Sequence, residues 1–140
     1  INGPSGCIGG SICYAFAAKI ARPEATVVAV MGDGTAGFHF AEYETAHRYA
    51  TDFIAVIGHD ACWNAEYQIQ QREFGAERIY ETELNPTRYD QAAKALGCHG
   101  EYVTATADIE AALERADQSG LPTCFVAEIT GLAAPSGTSH

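Results

Sequence analysis

The chain has 140 residues, the length of a single domain, and sets 18 Asp and Glu against 8 Lys and Arg for a formal charge of −10 at pH 7. A surface of that sign repels a phosphate backbone, which argues against nucleic acid as a partner. The composition, 47% hydrophobic and 19% charged, is that of a globular chain, and no apolar run approaches the roughly 18 residues that a membrane span needs.

The five cysteines (Cys7, Cys13, Cys62, Cys98, Cys124) are odd in number and lack CxxC or CxxH spacing. That argues against a disulfide framework and against a zinc site, and points to small core fillers in a reducing cytoplasm. The sequence opens at Ile1 with no basic and apolar leader, so the expectation is that a larger polypeptide or a partner lies N-terminal to it.

In chain order, a Gly/Ser/Pro loop leads into an Ala-rich helix over 11–21, closed by Arg22-Pro23. A buried strand over 26–31 meets Gly32-Asp33-Gly34, read as the turn that ends it, and a helix follows over 40–49. Residues 53–60, FIAVIGHD, read as a second buried strand with a polar, acid-tipped end, parallel to the first because a helix separates them. Helices are expected over 64–75 and 87–96, with Asn85-Pro86 as a start signal and Gly97 as a stop. A short strand over 100–105, a helix over 107–120 and a last strand over 122–130 complete the pattern. This alternation predicts an α/β domain over 1–132, a parallel sheet with helices on both faces, and a loose polar tail over 133–140.

Ligands of such sheets collect beyond the carboxyl ends of the strands, where Asp33 and Asp60 meet if their strands are neighbours. Two carboxylates there, with Gly34 and Thr35 offering a backbone N–H and a hydroxyl at a helix start, suit a hard divalent cation bridging to phosphate. Oxygen ligands without a Cys/His pair favour magnesium or calcium over zinc. A lone Gly-Asp-Gly is also often only a turn. The 25 residues between Gly34 and Asp60, however, hold the helix and strand that a βαβ crossover requires.

Gly-Asp-Gly followed at this distance by a polar pair resembles the diphosphate-binding motif of thiamine diphosphate enzymes, in which the pair is Asn-Asn. Nearly the whole chain resembles the C-terminal, diphosphate-binding domain of the acetolactate synthase-like group. GCIGGSICYAFAAKIARPEATVVAVMGDG is similar to that group's loop, Ala-rich helix, Ala-Arg-Pro turn and strand, AEYETAHRY to its next helix, and ACWNAEYQIQ to the segment after the second metal ligand. The resemblance implies thiamine diphosphate and Mg2+ as cofactors, with Asp33 and Asp60 binding the metal through their carboxylates and Cys62 through its carbonyl. It implies further that Gly32, Gly34 and Thr35 wrap the diphosphate, that Ala61 lies between the second and third ligands, and that Gly6, Cys7, Ile8 and Gly9 form the loop against the cofactor.

Two departures stand out. His59-Asp60 replaces Asn-Asn, which puts an anionic oxygen where the family has an amide; Asp remains a good magnesium ligand. His59 itself reads as a partly exposed residue at a strand end, the alternative being a charge-balancing role beside the acids. In the family, the glutamate that activates the cofactor lies in a separate N-terminal domain, usually of a neighbouring subunit. No residue here stands in for it, and the first strand and helix of the domain are not found before Gly6. The resemblance therefore implies a module of a homo- or hetero-oligomeric enzyme that makes or breaks C–C bonds next to a carbonyl in 2-oxo acids, inactive by itself and with no catalytic side chain of its own. A 2-oxo acid decarboxylase, a 2-hydroxyacyl-CoA lyase component, or a non-catalytic remnant serving as an interaction module are the other readings.

Glu42 and Glu44 read as a solvated helix face, and His39 and His47 as structural. Trp63, Asn64 and Tyr67 lie on the helix that borders the active site in relatives, but the four-residue spacing of Trp63 and Tyr67 is more often ordinary packing than substrate contact. GTAGFHF lacks the Lys-Ser/Thr ending of a P-loop, and a dinucleotide-binding reading would place an acid where a pyrophosphate must sit.

Overall fold

Runs of β-branched and small apolar residues form four short strands: β1 (Val28–Gly32), β2 (Ile54–His59), β3 (His99–Val103) and β4 (Thr123–Glu128). A computed structural model describes residues 6–133, so the tail expected over 133–140 lies outside the described residues beyond its first position. The strands make one sheet in the order β1-β2-β4-β3, and every pair is parallel. Each connection contains helix, as parallel neighbours require. In chain order the helices are α1 (Ser11–Ala21), α2 (Asp33–Phe38), α3 (Glu42–Arg48), α4 (Asn64–Phe74), α5 (Tyr89–Ala95) and α6 (Ile109–Ser119), with 3-10 turns at Ala76–Arg78 and Thr106–Asp108.

One expectation is corrected. Gly32-Asp33-Gly34 is not a turn: Gly32 is extended (φ −81°, ψ 163°) and Asp33 is the first residue of α2. A strand that continues over the sheet needs no reversal, so the backbone passes directly from strand to helix. The helix expected over 40–49 is present as α3, and α2 is an additional helix ahead of it, joined to it through residues 39–41.

Alternation along the strands divides the core. Ala29 and Met31, Ala55 and Ile57, and Cys124 and Val126 pack on one face beneath Ile12 and Ala15 of α1, Tyr43 and Ala46 of α3 and Ala93 of α5. Full burial of Ile57 alone contributes about 1.5–3 kcal/mol. On the other face α6 lays Ile109, Ala112 and Leu113 over Phe125 and Val103. No described helix covers that face over β1: Val28 and Val30 are 55% and 75% exposed. Helices on both faces are therefore present, but the second face is covered only over its β3–β4 half.

At the amino end of the sheet, Lys19 is buried and donates to the Ala25 carbonyl at 2.9 Å while pairing with Asp52 at 3.2 Å, which fixes the end of α1 to the segments entering β1 and β2. At the far edge, the first turn of α5 presses against β3. A Cβ on Gly100 would run into the backbone carbonyl of Asp90. The buried Asp90 carboxylate accepts two hydrogen bonds from Arg88, at 2.8 and 2.7 Å, and the guanidinium lies 4.4 Å over the Tyr102 ring.

Gly100→Ala forces a backbone shift rather than a side-chain adjustment and should cost at least about 2 kcal/mol, read as a lower urea midpoint with an unchanged slope. Hydrogen bonding from Arg88 holds the Asp90 carboxyl below its ordinary value of 3.8, and Arg115 holds Glu101 below 4.5. Depressed acids contribute stability that is complete above those values and is lost as pH falls through the folded-state values. Arg88→Met should therefore flatten the loss of stability below pH 3.8 relative to wild type in urea titrations across pH 2–6.

Candidate functional site

Parallel pairing aligns Gly32 with Gly58, so the residues just beyond them, Asp33 at the start of α2 and His59 at the end of β2, emerge side by side at the carboxyl end of the sheet. Asp33 is 2% exposed. A buried carboxylate is tolerated only when hydrogen-bonded, and three donors meet this one. Gly34 N–H donates to Oδ1 at 2.8 Å, while Ala61 N–H at 2.8 Å and His59 Nδ1–H at 2.7 Å both donate to Oδ2. His59 is itself only 4% exposed, which corrects the expectation of a partly exposed strand-end histidine. Its ring stands edge-on to Tyr89 and Tyr102, which bury it.

Asp60 follows immediately. Burial and the nearby Asp33 charge, in that order, raise its carboxyl above the usual 3.8. An acid whose charge is disfavoured by burial and by a neighbouring acid is what a divalent cation relieves. Ala61 turns the chain with φ 53°, and Cys62 forms an antiparallel bridge with Glu83. That bridge uses the Ala61 carbonyl, which accepts from Leu84 N–H at 2.7 Å, and Trp63 N–H, which donates to Thr82 at 2.7 Å. Among the described residues the Cys62 carbonyl has no backbone donor, so it remains available as a ligand. Burial first, then the Asp60 and Asp33 charges, raise the Cys62 thiol above its ordinary value, which disfavours a thiolate.

These residues edge a cleft of about 540 Å3, lined by Ile8, Gly32, Asp33, Gly34, Thr35, Asp60 and Cys62 together with Val30, Val56, Trp63 and Ile129. Seven of the eleven residues singled out from the sequence thus line one cleft. Cys7 and Gly9 line an adjoining hollow with Ile8 and Thr35, and Ala61 reaches Asp33 from a smaller cavity behind. Gly6 lines neither cleft nor hollow. Gly9 (φ 94°) ties the loop to the end of α2: its carbonyl bonds His39 Nδ1 at 2.9 Å.

The donor chemistry fits a hard cation and a phosphate group. Two carboxylates and a free carbonyl are oxygen ligands of the kind magnesium takes, with its remaining positions going to phosphate oxygens and water. Among the described residues there is no cluster of three or more His, Cys, Asp or Glu side chains forming a self-sufficient metal cage. A Cβ on Gly32 would meet nothing within 4 Å, so the strand end faces open space. One on Gly34 would strike the Trp63 ring at 2.7 Å. Gly34 N–H is already engaged by Asp33, which leaves Thr35 as the nearby donor for an anion in this arrangement.

The apolar wall of Val30, Val56, Ala127 and Ile129 was not singled out from the sequence. Its signal was the strand alternation itself, which places Val30, Val56 and Ala127 on the face that α6 covers only in part. Trp63 enters the cleft beside Phe38 in an edge-to-face contact at 5.9 Å. Asn64 donates to the Leu132 carbonyl at 2.8 Å, and Tyr67 is not among the lining residues.

The family profile described as thiamine pyrophosphate enzyme, C-terminal TPP binding domain, matches residues 1–127. A probable acetolactate synthase of Mycobacterium bovis is 43% identical over 122 residues, 86% of this chain and 22% of that protein. A 2-hydroxyacyl-CoA lyase 2 of Xenopus laevis is 41% identical over 93 residues, 66% of this chain and 14% of that one. The solved structure of a thiamine diphosphate-dependent 4-hydroxybenzoylformate decarboxylase of Rhodococcus jostii superimposes with a TM-score of 0.80 at 22% identity, covering 89% of this chain and 23% of that one, a likeness of fold. The chain thus spans less than a quarter of the length of these relatives. With the parallel sheet and its carboxyl-end cleft, the match over residues 1–127 establishes that the chain belongs to the thiamine pyrophosphate enzymes, as a C-terminal cofactor-binding domain of the acetolactate synthase-like group.

Proposed function

We propose that this domain anchors thiamine diphosphate by its diphosphate through a magnesium ion held by the Asp33 and Asp60 carboxylates and the Cys62 carbonyl. The observation that carries the reading is the pairing of a buried, donor-locked Asp33 with an Asp60 whose charge is disfavoured by burial and by Asp33, both at the mouth of an apolar-walled cleft. Gly32, Gly34 and Thr35 border the diphosphate, and Ile8 with the loop of Gly6, Cys7 and Gly9 borders the cofactor on the side of α1. Bound, thiamine diphosphate supplies the electron sink for making or breaking a C–C bond beside a carbonyl. The chain's own residues hold its charged end, neutralise it through the cation, and exclude water along Val30, Val56 and Ile129.

In this reading the domain works within an acetolactate synthase-like enzyme of 2-oxo acids, in the cytoplasm, where its five free cysteines suit a reducing milieu. Decarboxylation or 2-hydroxyacyl-CoA cleavage would use the same anchor, since in this reading the anchor holds the diphosphate end of the cofactor. The activating glutamate comes from another domain or subunit of a homo- or hetero-oligomer. The uncovered Val28 and Val30 on β1 supply apolar surface for such a neighbour to bury. Among the described residues no helix is long and apolar enough to cross a membrane.

Titration calorimetry of thiamine diphosphate into the chain should show binding that requires magnesium and disappears with chelator. The emission of Trp63, the only tryptophan, should change in parallel. Asp60→Ala should abolish magnesium-dependent binding, whereas Asp60→Asn should retain it. Equal binding by the two variants would remove Asp60 from the ligand set, and failure of the wild-type chain to bind even with a glutamate-supplying partner would mean that the fold persists without the cofactor.

A further inference from the structure

The contacts of Asp33 are unequal between its two oxygens. A carboxylate oxygen has about two lone-pair directions. Both directions of Oδ2 are taken, by His59 Nδ1–H at 2.7 Å and Ala61 N–H at 2.8 Å, whereas among the described residues Oδ1 accepts only Gly34 N–H at 2.8 Å, which leaves it one further direction. Because an ionised carboxylate only accepts, the hydrogen in the His59 bond belongs to Nδ1, which sets the tautomer or charge state of the ring.

His59 is held as firmly as the group it contacts. Its backbone is the last residue of β2, its carbonyl accepts Ile129 N–H at 3.0 Å, and its ring is wedged edge-on to Tyr89 and Tyr102 with centroids at 6.2 and 6.5 Å. A ring so fixed cannot follow the carboxylate; the carboxylate must align to it.

We propose that His59 is a positioning residue for the cation: its Nδ1–H fixes the Asp33 carboxylate through Oδ2, so that Oδ1 is the atom presented to the metal. The inference rests on the cation-binding reading above. It gives the departure His59-Asp60 a physical role, since a donor on the rear oxygen and an acid on the front of the site then belong to consecutive residues. Partners of this kind, bonded to a ligand rather than to the metal, orient the ligand and commonly alter metal affinity by about 10–100-fold when removed.

The test is Mn2+ binding to the full chain, followed by the electron paramagnetic resonance signal of the free ion. Wild type, Asp33→Ala, His59→Leu and His59→Asn are compared, each checked for folding by its urea midpoint. Asp33→Ala should lose the site. His59→Leu, which fills the volume without a donor, should weaken binding by about 10–100-fold. His59→Asn, whose amide nitrogen stands where Nδ1 stands, should recover most of that loss. Wild-type affinity in His59→Leu, or equal losses in the Leu and Asn variants, would overturn the positioning role while leaving the cation site intact. Equal binding by wild type and Asp33→Ala would overturn the cation site and this inference together. A readout on the unaltered chain keeps the claim falsifiable if His59→Leu does not fold: 15N spectra of labelled histidine should show a protonated, hydrogen-bonded Nδ1 for His59 that shifts on addition of Mg2+. A bare Nδ1, or a signal indifferent to Mg2+, would refute it.

Discussion

A carboxylate buried at the end of an edge strand is the constraint from which the rest of the site follows. Removing Asp33 from water carries a penalty of several kcal/mol unless its oxygens are matched by donors. The fold brings those donors from three places: the first turn of α2, the end of β2, and the loop after it. The parallel register of β1 and β2 places the residues after Gly32 and Gly58 at the same height. The strained turn at Ala61 then folds the loop back so that its N–H points at Asp33. A shift of one residue in this register would leave the acid buried and unmatched.

The same arrangement makes the domain asymmetric. Core residues on one face are sealed by α1, α3 and α5, and the opposite face is sealed only where α6 lies over β3 and β4. The remaining half carries exposed Val28 and Val30 and forms the wall of the cleft. Apolar surface beside a polar, cation-seeking strand end suits a cofactor with an anionic tail held through a metal and a ring-bearing body, and suits a second domain that closes over both.

Much of this was legible in the sequence because each element had a local cause. The Ala-rich run gave α1 with its limits, β-branched runs gave the strands, and Gly75, Gly97 and Gly120 stand just beyond α4, α5 and α6. The spacing from Gly34 to Asp60 pointed to adjacent strand ends, and the sheet order places them so. What escaped was tertiary. That Gly-Asp-Gly continues into a helix depends on the extended backbone of Gly32, not on residue preference. That His59 is buried depends on Tyr89 and Tyr102, 30 and 43 residues away in the chain, and nothing local announces them. The need for glycine at position 100 comes from a backbone carbonyl of α5, a contact with no sequence signature.

The most direct test is a crystal structure of the chain grown with Mn2+ and thiamine diphosphate, with the metal located by its anomalous signal. The account predicts a single strong peak in the cleft at ligand distance from Asp33 Oδ1, an Asp60 oxygen, the Cys62 carbonyl and the diphosphate, with His59 still bonded to Asp33 Oδ2. Diphosphate bound in the cleft with no metal between it and Asp33, or metal bound through Oδ2 with His59 displaced, would contradict it.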